Sequence, residues 1–309
     1  MRLVVVTGAG SGIGRATAQR FAKQGSTVVV SDINVETGTQ TVELISTSGG
    51  TAVFRRLDVA DVADWEAFAA WVCDELGVPD VVVNNAGILI GGGFLEQTGA
   101  DWRRMIAINL MSPLVGSRLF AQRMVDAGTR GHIVNICSVG AFLPTGISPS
   151  YVTAKAGAWF GTQALRVELA PHHIGVSAIC PGLIRTNLAT NGSRGGVTDA
   201  ESASWAAKLG SGHRFVGRSP NRVAFAVTQA VRFDLATVPV GLEAWLGWYL
   251  SRLSPGALRS MTRLLRMDLA DHGVELVGRI FGRNLDASAD TTALSAGTPT
   301  TGAQARGSK

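Results

Sequence analysis

Tyr151 is one of only two tyrosines in the chain, and Lys155, one of its few lysines, follows four residues later. On a helix, positions i and i+4 share a face. A tyrosine with an ordinary pKa near ~10 is a poor base at neutral pH, but a lysine cation beside it favours the phenolate, which can then exchange a proton with an oxygen of a bound molecule. Ser138 lies thirteen positions before Tyr151, at the end of the largely apolar run His132 to Cys137. A hydroxyl there can hydrogen-bond the same oxygen and hold it against the phenol. Taken alone, the Tyr151/Lys155 spacing also fits an ordinary amphipathic helix, and Ser138 a turn cap, so the rest of the sequence has to decide.

A second group of residues suits a phosphate. Thr7-Gly8-Ala9-Gly10-Ser11-Gly12-Ile13-Gly14 closes the first β-branched run and opens a helical pattern. A pyrophosphate needs bare backbone N–H groups at close range and a helix N-terminus aimed at its charge. A merely tight turn would use one or two glycines rather than four. About twenty residues further on, Asp32 ends the second β-branched run, where a carboxylate accepts both hydroxyls of a nucleotide ribose and repels a 2′-phosphate. NAD rather than NADP is therefore the expected cofactor. Arg15, Arg55 and Arg56 are the cations that would act against that choice, and their pattern reads as solvated surface charge.

The glycine spacing, G-x-x-x-G-x-G, is not that of the general dinucleotide fingerprint. Asn84-Asn85-Ala86-Gly87 follows the fourth apolar run, Asn109 lies in the next helical stretch, and Ser138, Tyr151-Val152-Thr153-Ala154-Lys155 and Pro181-Gly182 with Thr186 come after in order. With these motifs the chain resembles the classical short-chain dehydrogenase/reductase family over residues 1–240; the family's extended branch has a different glycine spacing. The resemblance implies that Ser138, Tyr151, Lys155 and Asn109 are catalytic. Ser138 and Tyr151 would act on the substrate oxygen and Lys155 on the nicotinamide ribose, while Asn109 would bend its helix and hold a water linking Lys155 to solvent. It further implies that NAD is bound by Gly8, Gly10, Ser11, Gly12, Ile13, Gly14, Asp32, Asp58, Val59, Asn85, Ala86, Gly87, Pro181, Gly182, Ile184 and Thr186, together with Tyr151 and Lys155. Ser11 and Ile33 stand where NADP-using members usually carry a basic residue. The histidines and cysteines match no metal-binding spacing.

Such a site needs a parallel sheet to position it, and the first 180 residues alternate short β-branched runs with longer stretches of helical period. The runs Leu3 to Thr7, Thr27 to Ser31, Ala52 to Leu57, Val81 to Asn84, His132 to Cys137 and Gly175 to Cys180 are mostly continuous in Val, Ile or Leu, as strands buried on both faces are. Helices are predicted at about Gly12 to Gln24, Val35 to Ser48, Ala60 to Leu76, Ala100 to Ala127, Ser150 to His172 and Asn221 to Phe233, with a last strand at Thr237 to Val240. The expected fold class is α/β, a doubly wound Rossmann-type, mostly parallel seven-stranded sheet with helices on both faces and a C-terminal helical extension. Residues 1–240 form the catalytic domain, 183–220 a Gly/Ser/Thr-rich substrate lid, 241–283 an amphipathic helical extension broken at Pro255-Gly256, and 284–309 a disordered tail. In the extension's second helix Arg259, Arg263 and Arg266 share one face and Leu258, Met261, Leu265 and Leu269 another, which suits capping the pocket, packing on the body or lying on a membrane surface.

Of 309 residues 46% are apolar and 17% charged, a balance that excludes disorder as the main state. The net charge of +5 is spread among acidic residues with no basic stripe, so nucleic acid is not an expected partner. Cys73, Cys137 and Cys180 are far apart, and the opening apolar run ends in glycines. A chain starting near Met1 in a reducing, cytoplasmic compartment is expected. No apolar run reaches the ~20 residues of a membrane span. The expected activity is NAD-dependent interconversion of an alcohol and its carbonyl on a bulky apolar substrate of lipid, steroid or retinoid type, in a pocket of Phe94, Leu95, Phe142, Leu143, Leu183, Leu188 and Trp205. The alternatives are a catalytically silent dinucleotide-binding regulator or scaffold, and a membrane-surface protein acting through its basic C-terminal part. The resemblance also implies a homodimer or homotetramer built on the helices carrying Asn109 and Tyr151, the latter showing Val152, Ala156, Trp159, Phe160 and Gln163 on its outer face.

Overall fold

The structure, a computed structural model, describes residues 2–143, 148–185, 188, 192–198, 200–207 and 218–262. One parallel sheet contains β1 (Leu3–Thr7), β2 (Thr27–Asp32), β3 (Thr51–Arg56), β4 (Val81–Asn84), β6 (Gly131–Ile136), β7 (Ile174–Pro181) and β9 (Thr237–Val240), in the order β3-β2-β1-β4-β6-β7-β9. Two short strands, β5 (Ile90–Gly91) and β8 (Ser193–Arg194), pair separately. The chain winds outward from β1 to β3 and then returns to β4 on the other side of β1. Strand order therefore reverses between β1 and β4, and in open α/β sheets the crevice at such a reversal is where ligands bind.

Val4 and Val6 of β1 pack in one layer with Phe21 of α1 (Gly12–Lys23), Ile45 of α2 (Val35–Thr47) and Val223 and Val227 of α7 (Pro220–Phe233). Val5 packs in the other with Trp65 and Phe68 of α3 (Val62–Glu75) and Phe120 and Met124 of α5 (Ser112–Asp126). With helices on both faces the strand has no wet side, which is why its valines run without alternation. Each fully buried side chain of this kind contributes about 1.5–3 kcal/mol. Between the layers Asn84 donates to Asn135 Oδ1 (2.8 Å) and Ser117 Oγ (3.1 Å), and Asn135 donates to Thr162 Oγ1 (2.9 Å). This buried polar chain ties β4 and β6 to α5 and to α6 (Pro149–Leu169).

The helix expected over Ala100 to Ala127 is a helical run in three parts: α4 (Gly99–Ile106), a wider π-turn at Ala107–Met111, and α5. Asn109 sits in that π-turn, which accommodates a residue that is unfavourable in a regular helix.

Beyond β9 the chain forms α8 (Leu242–Leu253) and α9 (Pro255–Thr262), broken at the expected place. The body of the chain receives α8. Ala244 is fully buried, Gly247 faces Leu143, and Trp248 packs with Phe142, Ala158 and Cys180. The opposite face leaves Leu242, Trp245, Leu246, Tyr249 and Leu253 exposed, with Trp245 stacked on Tyr249 at 5.8 Å. Leu265, Leu269, Arg263, Arg266 and the tail lie outside the described residues, as do the side chains of Arg259 and Met261. Among the described residues no helix is long and apolar enough to cross a membrane.

His132 is the second residue of β6, at the end of the sheet away from the glycine segment, and is buried with Nε2 2.8 Å from Ser177 Oγ. Burial lowers its pKa to about 4 from 6.5, against the opposing pull of Asp234. The unfolded chain therefore takes up this proton first. The stability that the neutral ring contributes is complete above pH 6.5 and is lost as the pH falls to about 4, a change of about 3 kcal/mol. Denaturant titrations between pH 7 and 4 should show this loss, and His132→Gln should make the acid limb shallower; a variant with the full wild-type slope would contradict the assignment.

Candidate active site

After Thr7 the chain turns over the strand ends into α1. Thr7 Oγ1 accepts hydrogen bonds from Asn85 N (3.0 Å) and Ala86 N (3.1 Å), while Asn85 Nδ2 donates to Thr7 O (2.8 Å) and Gly8 O (3.1 Å). The turn after β4 is thereby bolted to the turn after β1. Asn85, expected to touch a cofactor, spends its side-chain donor on holding the glycine segment. A Cβ on Gly14 would strike Gly8 O and Asn85 Nδ2, and one on Gly10 would meet Asp32 Oδ2 at 2.8 Å. These two glycines thus serve the protein's own close packing, beyond the access for phosphate that the sequence suggests. Ser11 precedes α1 in extended conformation with no side-chain cap, and no acidic residue stands in the first turn. By contrast α2, α3 and α4 are capped by Asn34, Asp61 and Thr98. Among the described residues no side chain accepts from the first N–H groups of α1, a donor set that fits a pyrophosphate.

Asp32 closes β2 beside this turn. Its carboxylate accepts from Gly10 N (2.8 Å) and Asn34 N (3.0 Å), which fixes it where a ribose would meet it. Ile33 next to it is exposed. Leu57 N donates to Asp32 O (3.2 Å), bringing the next pair alongside: Asp58 accepts from Ala60 N, and Val59 O accepts from the Trp65 indole. Of the three arginines, Arg55 lies over Trp71 and Arg56 pairs with Asp64 at 3.2 Å, both on the surface as expected. Arg15 corrects the expectation. It is half-buried and donates to Gly10 O, Thr41 Oγ1 (2.9 Å), Gln40 Oε1 (2.8 Å) and Thr37 O (3.3 Å), and Thr41 in turn donates to Ala9 O (2.9 Å). Arg15 is a clamp between the glycine turn and α2.

On the other side of the crevice, Ser138 leaves β6 in extended conformation and caps the short 3₁₀ turn Val139–Ala141 by accepting from Gly140 N (3.1 Å), with Tyr151 alongside: a Cβ on Gly140 would lie 3.4 Å from Ser138 Oγ and 3.6 Å from Tyr151 Cε1. The start of α6 that carries Tyr151 is pinned to the chain around β5: Ser148 Oγ donates to Ile90 O (2.6 Å), and Ser150 N donates to Gln97 Oε1 (3.3 Å). One turn further on, Lys155 is buried, donates to Ile136 O (2.9 Å), and has its ammonium 5.9 Å from the centre of the Tyr151 ring. Burial pushes the Tyr151 pKa up against the opposing effect of the Ser138 hydroxyl, and burial pushes Lys155 down. The expected phenolate depends on the lysine cation together with the positive charge of an oxidised nicotinamide; in the folded chain alone, burial keeps Tyr151 a neutral phenol at neutral pH.

Asn109 Nδ2 donates to Ile88 O (2.9 Å) and its Oδ1 accepts from Ile88 N (3.2 Å), so its side chain braces the turn that follows β4. A Cβ on Gly87 would lie 2.7 Å from Asn109 Oδ1 and 3.7 Å from Lys155 Nζ. The Asn85–Gly87 turn therefore touches the glycine segment at one end and the Lys155 and Asn109 side chains at the other.

Pro181 ends β7, Gly182 N donates to Val240 O (2.9 Å), and Ile184 buries its side chain in the core beside Val223 and Val227. Thr186 lies outside the described residues. Within residues 183–220, where a lid is expected, Ser193–Arg194 pairs with Ile90–Gly91, and Trp205 is buried against Gly91. The expected apolar pocket divides. Phe142 and Trp205 are buried packing residues, and Leu143 faces Gly247. Leu95 is 98% exposed, Phe94 lies against Trp102 at 5.3 Å, and Leu183 and Leu188 are partly to well exposed. The face expected on α6 divides likewise: Trp159 turns inward onto Phe142, and Val152 lies beside Gly140, while Phe160 is exposed. Thr7, Thr41 and the clamping role of Arg15 escaped the sequence reading. Thr7 sits at a strand end and Thr41 on a helix, types and places that carry no signal by themselves.

Comparison with known proteins fits this arrangement. The sequence profile of the short chain dehydrogenase family matches residues 2–195. A probable oxidoreductase, EphD, of Mycobacterium tuberculosis is 44% identical over 266 residues, which is 85% of this chain and 45% of that protein. The chain thus spans about half the length of this relative. Among solved structures, a short-chain dehydrogenase/reductase from Burkholderia phymatum in complex with NAD is 25% identical with a TM-score of 0.75, covering 84% of this chain and 95% of that one. A metagenomic short-chain oxidoreductase in complex with NADP is 28% identical with a TM-score of 0.64, covering 78% and 98%. Profile, relatives and fold agree with the joined glycine turn and hydroxyl pair, and on these grounds the chain belongs to the classical short-chain dehydrogenase/reductase family of oxidoreductases.

Proposed function

We propose that this protein is an NAD-dependent oxidoreductase that interconverts a secondary or primary alcohol and its carbonyl on a bulky apolar substrate of lipid, steroid or retinoid type. The observation that carries the reading is the Asn85–Gly87 turn, hydrogen-bonded to the glycine segment on one side and lying against Asn109 and Lys155 on the other. It joins a phosphate cradle and a proton-transfer pair in one crevice. The glycine turn, the first N–H groups of α1 and Asp32 would hold the pyrophosphate and adenosine ribose, with Asp58 and Val59 at the adenine and Pro181, Gly182, Ile184 and Thr186 at the nicotinamide. When bound, a nicotinamide dinucleotide accepts or returns the hydride. Ser138 holds the substrate oxygen by a hydrogen bond, Tyr151 exchanges the proton with it, and Lys155 binds the nicotinamide ribose and supplies positive charge beside the phenol.

The reading is tested by incubating the full chain with NAD and a panel of hydrophobic secondary alcohols while following the near-ultraviolet absorbance of the reduced nucleotide. Turnover of at least one apolar alcohol is expected. NAD binding without turnover across the panel would favour a silent regulator. A homodimer or homotetramer, proposed through α5 and α6 and supported by Phe160 at 69% and Val167 at 77% exposure, should appear as such in sedimentation velocity; a monomer would contradict it. Peripheral membrane contact through the exposed apolar face of α8 is a further proposal, to be checked by liposome flotation of the full chain and of Trp245→Ala/Leu246→Ala.

A further inference from the structure

The stretches that border the expected lid, Gly182–Arg185 after β7 and Arg218 before α7, are joined. Ile184 and Arg218 form a parallel bridge, in which Arg218 N donates to Leu183 O (2.9 Å) and Arg185 N donates to Arg218 O (2.9 Å). Onto this junction comes one side chain from beyond the sheet. Glu243, in the first turn of α8, accepts from Leu183 N with Oε1 (3.1 Å) and from Arg218 Nη1 with Oε2 (2.8 Å). One carboxylate thus holds both stretches, an oxygen on each. Two glycines make room for it. A Cβ on Gly182 would strike Glu243 Oε1, and Gly241, at φ +117°, would with a Cβ crowd both Arg218 Nη1 and Glu243. The helix that presents Glu243 is itself fixed on the body of the chain: Gly247 packs on Leu143, and Arg252 lies 4.1 Å from the Trp248 ring centre and 5.4 Å from that of Trp159.

We propose that Glu243 is a positioning residue that sets the substrate end of the site, clamping Leu183 and Arg218 so that the turn after β7 depends on the helix following β9. The proposal rests on the oxidoreductase reading of the crevice and deepens it by naming a determinant of substrate binding outside residues 2–195, the span of the family profile. Removing the carboxylate charge frees the Leu183 N–H from a strong acceptor and leaves Arg218 without its partner. The Pro181–Ile184 turn and Arg218 then move apart, while the glycine turn and Asp32, on the other side of the crevice, keep their bonds. The expected signature is a rise in KM for the alcohol with little change in NAD affinity.

The test uses the full chain in three forms, wild type, Glu243→Gln and Arg218→Lys, measured first without substrate by backbone hydrogen exchange. Peptides covering residues 182–185 should exchange at least tenfold faster in Glu243→Gln, those covering β1 at the wild-type rate, and Arg218→Lys, which keeps a cation for Glu243, should stay within about threefold of wild type. On the best alcohol of the panel, Glu243→Gln should raise KM at least tenfold, with the NAD dissociation constant from tryptophan fluorescence within twofold. Should Glu243→Gln lose the β1 protection as well, Arg218→Ala, which removes the same ion pair from the other side, must give the local exchange and KM change. Unchanged exchange at 182–185 in a folded variant would overturn the clamp, and faster exchange with unchanged KM would overturn its role in substrate binding. Because the exchange step needs no turnover, a wild-type protein that oxidises no alcohol defeats the oxidoreductase reading alone and leaves the clamp to be judged by exchange.

Discussion

Replacing Tyr151 by Phe is expected to reduce turnover by about 100- to 10,000-fold, the range for loss of a general acid/base, while NAD binds nearly as in the wild type. The change deletes one hydroxyl and leaves the ring. Ser138 keeps its bond from Gly140 N, and Lys155 keeps its bond to Ile136 O, so neither neighbour loses its place. Stability should fall by no more than about 1.5 kcal/mol, the net value of one ordinary hydrogen bond. Burial raises the Tyr151 pKa, so the phenol holds its proton at neutral pH. Alcohol oxidation, which needs the phenolate, should therefore accelerate toward alkaline pH in the wild type, and the variant's residual rate should lack that rise. Steady-state kinetics across pH with both proteins gives the answer, and a Tyr151→Phe protein with most of the wild-type activity would defeat the proposed chemistry.

Nucleotide choice should depend almost as strongly on one carboxylate. Asp32→Ala is expected to cut catalytic efficiency with NAD by at least about 10- to 150-fold, the effect of losing even one charge-assisted hydrogen bond to the ribose worth about 1.5–3 kcal/mol. Efficiency with NADP should fall far less, because the same change removes a repulsion, so the gap between the two narrows. Asp32 also accepts from Gly10 N, and Ala would release that N–H and loosen the glycine turn. Asp32→Asn, which keeps an acceptor there and removes the charge, separates the two effects: it should retain the wild-type melting temperature and still narrow the preference. A wild-type protein as efficient with NADP as with NAD would show that this position has been misread.

Much of the fold was legible because burial on two faces leaves a plain mark. Val4, Val5 and Val6 pack into opposite layers, and only an unbroken apolar run satisfies both. The glycine segment and the Tyr151/Lys155 pair were legible for a related reason, since each function demands residue types that few other roles require. What stayed hidden depends on distant partners. Arg15 on α1 looks like any solvent-facing cation until α2 brings Thr37, Gln40 and Thr41 to it. Phe142 and Trp205 carry the same apolar signal as a pocket wall, and only the arrival of Trp248 and Gly91 makes them packing residues. Glu243 reads as an ordinary acidic residue in a helix's first turn, and its grip on Leu183 and Arg218 comes from residues 60 and 25 positions away.

Direct transfer of hydrogen from the substrate carbon is the central claim, and isotope labelling measures it without inference from rates. The best alcohol of the panel, deuterated at its carbinol carbon, is incubated with NAD and the full chain, and the reduced nucleotide is weighed by mass spectrometry. The account predicts one deuterium per reduced nucleotide with the wild type and almost no reduced nucleotide with Tyr151→Phe over the same interval. Reduced nucleotide without the label, or equal labelling by the two proteins at equal rates, would contradict it.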